Sequence, residues 1–392
     1  MPAEFFSLFR DRRIRTGSLL PALVLFVATN LGVASWRNAL HKEQERNLLL
    51  NGAPTTESIR SARFDRSVGG NPLAYWPAIP DARHTRLVVI TGMSQMYAIN
   101  EATPTDQTIS EWLDDHYAPL GVRVFGLAAP NLANEEALFL LLAELSDPAT
   151  TPKVLIMGVS FDKFRNVDLR EGYRAFLQRR PRTSALWRET AAQYSDSFPL
   201  ATAKMVSTLS DSSSLSGTDS SSLEWRIRDR LGAMLPVIAG RKDLNFFVMD
   251  RLYEARNKAF GISTSSKRPL IKSRYDMNRE FLQLMVAVAH ARRVRVILYI
   301  NPLNPRAVNP YIPDEYEGFK SWLAKYARSR NVPLANLENE IPAADWGMFM
   351  GGPDFMHFKG EGHLKTAAAI QRTFDAEIRG AAATQAPPAP SR

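Results

Sequence analysis

Five short apolar segments, interleaved with helical patterns, constrain the fold of this 392-residue chain more than any other feature. Each is a continuous run rich in Val, Ile and Leu, as expected for strands buried on both faces of a parallel sheet. They lie at 86–92, 122–128, 153–160, 293–302 and 332–338. Segments with helical periodicity separate them, at 108–120, 134–147, 279–293 and 317–330. This alternation predicts right-handed βαβ units in a three-layer α/β fold with a doubly wound parallel sheet.

The alternation is interrupted between the third and fourth apolar segments, where about 130 residues intervene. This stretch holds a Ser-rich tract at 207–225 flanked by segments of helical character, which predicts a helical insertion at about 165–280. The insertion either covers the functional edge of the sheet or forms a plain surface excursion. The sequence therefore predicts an α/β domain over 81–380, preceded by a linker over 37–80 and followed by a disordered tail over 381–392.

The N-terminal region carries an uncharged, mostly apolar segment at 16–36. A helix that crosses a bilayer needs about 20 such residues. Arginines precede the segment closely, so the positive-inside rule places residues 1–15 in the cytoplasm. We expect one retained transmembrane helix, with the rest of the chain on the far side of the membrane. A signal peptide cleaved near Val33-Ala34-Ser35 and a buried soluble helix are the alternatives.

Composition excludes several kinds of function. The chain has no cysteine, which rules out thiol catalysis, Cys-bound zinc and disulfides. Its formal net charge of +9 would suit an anionic partner, but the arginines are scattered among acids and no basic-aromatic module accompanies them, so nucleic-acid binding is not expected. No metal or cofactor is expected either, because no phosphate-binding glycine motif occurs and three histidines lack partners at ligand spacing: His84, His116 and His290.

A serine follows the first apolar segment directly, in Thr91-Gly92-Met93-Ser94. At a strand-to-helix junction, a serine hydroxyl lies at the sheet edge and its N–H points with the helix N-terminus. Ser94 is therefore a candidate for both nucleophile and oxyanion donor. An ordinary turn or helix cap would use the same short motif.

Asp354 and His357 stand near the C-terminus, on what the sequence indicates is a loop before an apolar helix. A serine nucleophile needs an imidazole to accept its proton, and the imidazole needs a carboxylate to fix its tautomer. A plain loop in which Asp354 caps a turn would share this spacing. The chain order Ser94, Asp354, His357 supplies all three groups, so we predict an esterase-like Ser-His-Asp site.

These segments resemble the conserved blocks of the SGNH (GDSL-like) hydrolases over roughly residues 86–375, with the insertion excluded. The N-terminal anchor, the insertion, Asn301-Pro302 and the motif DFMHFKGEGH are similar, more narrowly, to exported SGNH-like proteins of surface-polymer acylation, of the DltD and AlgX-like type. The resemblance implies a flavodoxin-like sheet and a triad of Ser94, His357 and Asp354.

The same resemblance implies acyl-ester chemistry, O-acetyl or alanyl transfer or hydrolysis, on a cell-surface polysaccharide or polymer. A membrane-bound O-acyltransferase is the implied partner, and the implied location is the bacterial inner membrane, with the body in the periplasm or otherwise outside the cytoplasm. A non-catalytic scaffold or glycan-binding protein with the same fold is the alternative. A free-standing lipase or deacetylase also fits these residues.

The sequence departs from the family pattern where the oxyanion would be bound. Met93 precedes the serine, and the loop after the second strand, Leu127-Ala128-Ala129-Pro130-Asn131, contains no glycine. The third block reads Gly158-Val159-Ser160-Phe161-Asp162, where the family often has Gly-x-Asn-Asp. The sequence therefore leaves three candidates for the second oxyanion donor: Asn131, Asn134 and Ser160. Losing one such donor typically lowers kcat by about 10²- to 10³-fold.

Overall fold

The computed structural model describes residues 72–103, 105–165, 169–215, 267–349 and 352–380. Its strands are β1 (Arg86–Gly92), β2 (Val122–Ala128), β3 (Val154–Val159), β4 (Arg295–Ile300), β5 (Leu334–Asn336), β6 (Trp346–Phe349) and β7 (Gly352–Phe358). Its α-helices are α1 (Ile109–Tyr117), α2 (Asn134–Leu145), α3 (Glu171–Arg179), α4 (Pro181–Gln193), α5 (Pro199–Leu215), α6 (Lys272–Ala291), α7 (Pro313–Ser329) and α8 (Gly360–Gly380).

Several sequence predictions fall outside these residues. They are the transmembrane helix at 16–36 with its cytoplasmic flank, the linker up to residue 71, the tail from 381 and the part of the insertion at 216–266. Within the described ranges, no helix combines the length and the apolar character that crossing a bilayer requires.

The first five strands form one parallel sheet in the order β2-β1-β3-β4-β5, which confirms the predicted α/β sheet. β1 lies between β2 and β3, with Gly92 opposite Ala128 of β2 and Val88 opposite Val154 of β3. The chain thus leaves β1 toward one side of the sheet and later returns on the other. Such a reversal opens a crevice at the carboxyl ends of the strands, where ligands of α/β sheets bind.

Helices cover both faces of the sheet, which confirms the three layers. Alternate side chains of β1 enter opposite cores, Leu87 and Val89 on one face and Val88 and Ile90 on the other. The first core is closed by α2, α6, α7 and the helices α3 to α5, and the second by α1 and α8. Both faces are apolar, so the strands read in the sequence as continuous rather than alternating apolar runs.

The described helices of the insertion belong to the first core. The indole of Trp187 in α4 is fully buried and donates to the carbonyl of Met205 in α5 at 3.0 Å. Glu280 of α6 accepts from the N–H groups of Leu200 and Ala201 at 2.7 and 3.0 Å, which caps the first turn of α5. Of the three helical segments that the sequence indicated in the insertion, 173–180 corresponds to α3, and those at 223–235 and 245–261 lie outside the described residues. The helices α4 and α5 were missed.

Asp354 and His357 lie on a strand, which corrects the predicted loop. β6 and β7 form an antiparallel hairpin that leads directly into α8. The ring of Phe358 in β7 is buried against Trp346 of β6, with centroids 5.3 Å apart. Pairing along the hairpin therefore holds the segment that carries both side chains.

Candidate active site

Ser94 begins a single 3₁₀ turn, Ser94–Met96, immediately after β1. The turn folds back so closely that a Cβ on Gly92 would lie 2.5 Å from Cγ of Met96. Met93, Gln95 and Met96 are buried, while Ser94 itself is half-buried. The backbone around the serine is thus fixed by packing at the carboxyl edge of the sheet, and its hydroxyl points to the imidazole of His357.

The three predicted catalytic residues meet at this edge. Oγ of Ser94 lies 2.8 Å from Nε2 of His357. Nδ1 of the same imidazole lies 3.1 Å from Oδ2 of Asp354. Because a carboxylate can only accept, Nδ1 carries the proton and Nε2 is left to accept the Ser94 hydroxyl proton. This tautomer and this orientation suit a general base next to a nucleophile.

The carboxylate of Asp354 is buried but well supplied with donors. Oδ1 accepts from the backbone N–H groups of Met356 and His357 at 2.9 and 3.1 Å, and Oδ2 also accepts from Nδ2 of Asn100 at 2.9 Å. Burial alone would raise the pKa of Asp354, but the hydrogen bond and charge of His357, together with the two N–H groups, hold that pKa below its usual value. Asp354 therefore stays ionised at neutral pH and can stabilise a protonated His357.

Side chains that sequence reasoning missed hold the β7 segment against the β1 turn. Nε2 of Gln95 donates to the carbonyls of Pro302 and Met356 at 2.9 and 2.8 Å. Nδ2 of Asn304 donates to the carbonyl of Asp354 at 2.7 Å. Gln95 follows the nucleophile and Asn304 follows β4, so both come from the carboxyl ends of strands, the one signal in the sequence that could have found them.

The three candidates for the second oxyanion donor lie in different settings. Asn131 is exposed in the loop after β2 and has a left-handed backbone, with φ of 50°. Asn134 is buried at the start of α2, and its Nδ2 donates to the carbonyl of Asn278 at 3.2 Å. The buried hydroxyl of Ser160 donates to Sδ of Met93 at 2.7 Å. Among the described residues no hydrogen bond joins any of the three to Ser94, so their role stays a prediction.

Lys163 is a buried basic residue near this edge, in the 3₁₀ turn Phe161–Phe164 that follows β3. Its side chain is fully buried, and within the described ranges Nζ has no hydrogen-bond partner. Burial lowers the pKa of Lys163 to about 7, and the negative charge of Glu136 opposes that shift only in part. Lys163 is therefore poised to titrate in the neutral range.

The chain matches no known family model and no curated protein. Among solved structures it is similar to a proposed acylhydrolase from Bacteroides fragilis, with 11% sequence identity and a TM-score of 0.38, over 79% of this chain and 98% of that one. It is also similar to a GDSL-like lipase from Bacteroides thetaiotaomicron, with 10% identity and a TM-score of 0.37, over 79% of this chain and 98% of that one. At this degree of similarity, the geometry of the site itself is the evidence for function.

Proposed function

We propose that this chain is a serine esterase-type enzyme that forms an acyl-enzyme on Ser94. The observation that carries the proposal is the hydrogen-bonded series from Oγ of Ser94 through His357 to Asp354. A serine, an imidazole in the required tautomer and an ionised, buried carboxylate are the groups that acyl transfer by a serine nucleophile needs.

The geometry supports a two-step reaction. His357 Nε2 takes the hydroxyl proton while Oγ of Ser94 attacks the ester carbonyl carbon, and the N–H of Ser94 donates to the resulting oxyanion. The intermediate collapses to acyl-Ser94, and the leaving alcohol takes the proton from His357. Water or a second hydroxyl then attacks the acyl group, again losing its proton to His357, and Ser94 is regenerated.

We further propose that the enzyme is exported, membrane-anchored and active in O-acyl transfer or hydrolysis on a cell-surface polysaccharide or polymer. The uncharged segment at 16–36 supports the anchor, and the motif DFMHFKGEGH at 354–363 supports the likeness to surface-polymer acylation proteins. A membrane-bound O-acyltransferase would deliver the acyl group across the bilayer. Deleting the gene should then reduce the ester content of the cell surface, and unchanged ester content would contradict this finer proposal.

Hydrolysis of 4-nitrophenyl acetate by the purified full chain tests the enzymatic claim. We expect Ser94→Ala to lower the rate at least about 10³-fold, because the variant lacks the hydroxyl that forms the acyl-enzyme. Ser329→Ala, at the end of α7, is the matched control and should keep the wild-type rate. Adding an oligosaccharide acceptor and measuring acylated product by mass spectrometry separates transfer from hydrolysis.

A non-catalytic scaffold or glycan-binding protein is the second candidate function. The observation that favours it is that the hydroxyl of Ser160, the candidate donor in the third block, donates to Met93 instead of facing Ser94. In that case Ser94→Ala would restore surface esters as fully as the wild-type gene in a deletion strain. The enzymatic proposal expects no restoration.

A further inference from the structure

A cavity of about 1050 Å³ lies at the N-terminal edge of the sheet, opposite the edge that carries Ser94. Its wall is formed by the residues that enter β1 and β3, by the turn from α6 into β4 and by the end of α8. None of the residues of the candidate active site lines it. The cavity is therefore separate from the proposed reaction.

The cavity is strongly basic. Among the residues that the structure describes, its wall carries six Lys or Arg side chains and His84 against a single carboxylate, that of Glu377. The six are Arg83, Arg86, Lys153, Arg292, Arg293 and Arg295. They come from three segments that are far apart in the sequence and that the fold brings together.

Most of this charge is not neutralised. Arg83 pairs with Asp81 at 2.6 Å, but within the described ranges the other five cations have no carboxylate at ion-pair distance. The positive field reaches a neighbouring histidine, because partial burial and the charges of Arg295 and Arg330 lower the pKa of His290. The dipole of α6 favours cations at its C-terminal end, which explains the placement of Arg292 and Arg293 but not that of the other four cations.

The cations are spread across the sheet. Arg86, Lys153 and Arg295 enter β1, β3 and β4, which are neighbouring strands about 4.8 Å apart. Arg295 is the register partner of Val154, which directly follows Lys153. A single phosphate cannot contact charges spread over roughly 10 Å, whereas a ligand with several anionic groups can.

Arg293 occupies a backbone position that disfavours arginine. It has a φ of 59° in the turn that ends α6. The corresponding turns into β2 and β5 use Gly121 and Asn331, with φ of 72° and 52°, and these residue types tolerate the left-handed region. The sequence thus has a cation at the cavity where glycine would be the relaxed choice.

We propose that this cavity binds a linear polyanion, a chain with several phosphate or carboxylate groups. The cationic row fits a ligand of repeated charge, and arginine pairs with both kinds of anion. The volume of about 1050 Å³ lies just above the range of about 300–1000 Å³ for small-molecule pockets, which suits a segment of a polymer chain. Its concave shape favours such a segment over a flat membrane surface.

Binding of fluorescent inorganic polyphosphate of about 15 units and of oligogalacturonate to the purified full chain tests the proposal. We expect one or both to bind with an affinity that falls as salt rises, and orthophosphate at equal phosphate concentration to compete poorly. The double variant Arg86→Glu/Arg293→Glu should weaken binding at least about 20-fold, because two attractive charges become repulsive. The matched control Arg182→Glu/Arg188→Glu, with the same change of net charge on exposed positions of α4, should weaken it less than about 3-fold.

Two single variants keep the test independent of folding and of the proposed enzyme. Arg293→Gly should weaken binding by about 3-fold without lowering Tm, because glycine relaxes the left-handed backbone while the charge is lost. Ser94→Ala should bind like the wild type, so a failure of the esterase proposal leaves this one standing. The proposal would be overturned if neither polyphosphate nor oligogalacturonate binds, or if the two double variants weaken binding equally. Charge-dependent binding to phosphatidylglycerol vesicles alone would also overturn it.

Discussion

The two edges of the central sheet use polar groups in opposite ways. At the carboxyl edge the ionised Asp354 accepts hydrogen bonds from His357, Asn100 and two backbone N–H groups, and its neighbours are locked by packing. At the amino edge Arg86 and Lys153 line an open cavity with no carboxylate partner among the described residues. A fully hydrogen-bonded carboxylate holds the catalytic side chains in a single geometry, which the proposed reaction requires. Cations without carboxylate partners attract anions but do not impose a single geometry on them.

The largest expected effect follows from removing the charge that orients the imidazole. Asp354→Asn should lower kcat for 4-nitrophenyl acetate by up to about 10⁴-fold, because an amide can stabilise neither the required His357 tautomer nor its protonated form. Steady-state rates at neutral pH measure this. Asp345→Asn, a carboxylate outside the site that pairs with Lys365, is the control and should keep the wild-type kcat. If kcat of Asp354→Asn fell by less than about 10-fold, the residues at the carboxyl edge would not form a catalytic triad.

Lys163 contrasts with the fully hydrogen-bonded carboxylate of Asp354, because its buried Nζ has no hydrogen-bond partner among the described residues. Lys163→Met should raise the free energy of unfolding by about 1–3 kcal/mol at pH 6, because an apolar side chain replaces an unpaired buried charge. The folded-state pKa of about 7 lies below the usual lysine value, so the unfolded chain binds more protons between about pH 7 and 10. Lys163 should therefore make the free energy of unfolding of the wild type increase as the pH rises over this range. The stability advantage of Lys163→Met should shrink accordingly.

Urea unfolding of both proteins at pH 6 and pH 9.5 measures that difference. Lys325→Met, on the exposed side of α7, should show no pH-dependent gain. A gain in Lys163→Met that is equal at both pH values would mean that Lys163 is not desolvated in the folded protein.

Gly347 offers a smaller and more local perturbation of the network. A Cβ at this position would lie 2.0 Å from Cγ of Asn100, so Gly347→Ala must displace the side chain that donates to Asp354. We expect kcat to fall about 10-fold, the scale of one hydrogen bond to a charged group. Gly318→Ala, in α7 with open space around its Cβ, should leave kcat unchanged and slightly raise Tm. Equal kcat values in the two variants would show that Asn100 does not position Asp354.

The smallest effect is expected where the two edges are claimed to be independent. Arg86→Glu/Arg293→Glu should change kcat/KM for the neutral substrate 4-nitrophenyl acetate by less than about 2-fold, because exposed charges at the far side of the sheet are screened. A change in kcat/KM above about 10-fold would show that the two edges are not independent.

The sheet could be predicted from the sequence because strands covered on both faces leave continuous apolar runs, as in 86–92 and 122–128. The meeting of Ser94 with His357 was predicted from the groups that a serine nucleophile needs and from the chain order Ser94, Asp354, His357. The parallel-strand rule places Ser94 alone, because His357 lies on the antiparallel β6–β7 hairpin. The β6–β7 hairpin was missed because its short segment, Trp346–Phe358, carries no regular apolar alternation. α4 and α5 were missed because their buried faces are defined by contacts with α2 and α6 rather than by strong periodicity.

The basic cavity and the supporting side chains lay beyond sequence reasoning for a different reason. Arg83, Lys153 and Arg293 are separated by 70 residues or more in the sequence, and only the register of neighbouring strands brings them to one wall. Asn100 and Asn304 act through hydrogen bonds to the β7 segment, and no local pattern indicates a partner about 50 or more residues away. Long-range pairing of polar groups is set by tertiary structure alone.

Labelling of the full chain with a serine-directed fluorophosphonate tests the central claim most directly, with the modified residue located by mass spectrometry. The account predicts one adduct, on Ser94, and at least about 10²-fold slower labelling in His357→Gln, because the glutamine cannot take the hydroxyl proton. An adduct on another serine, or no adduct on a folded protein, would contradict a nucleophilic Ser94.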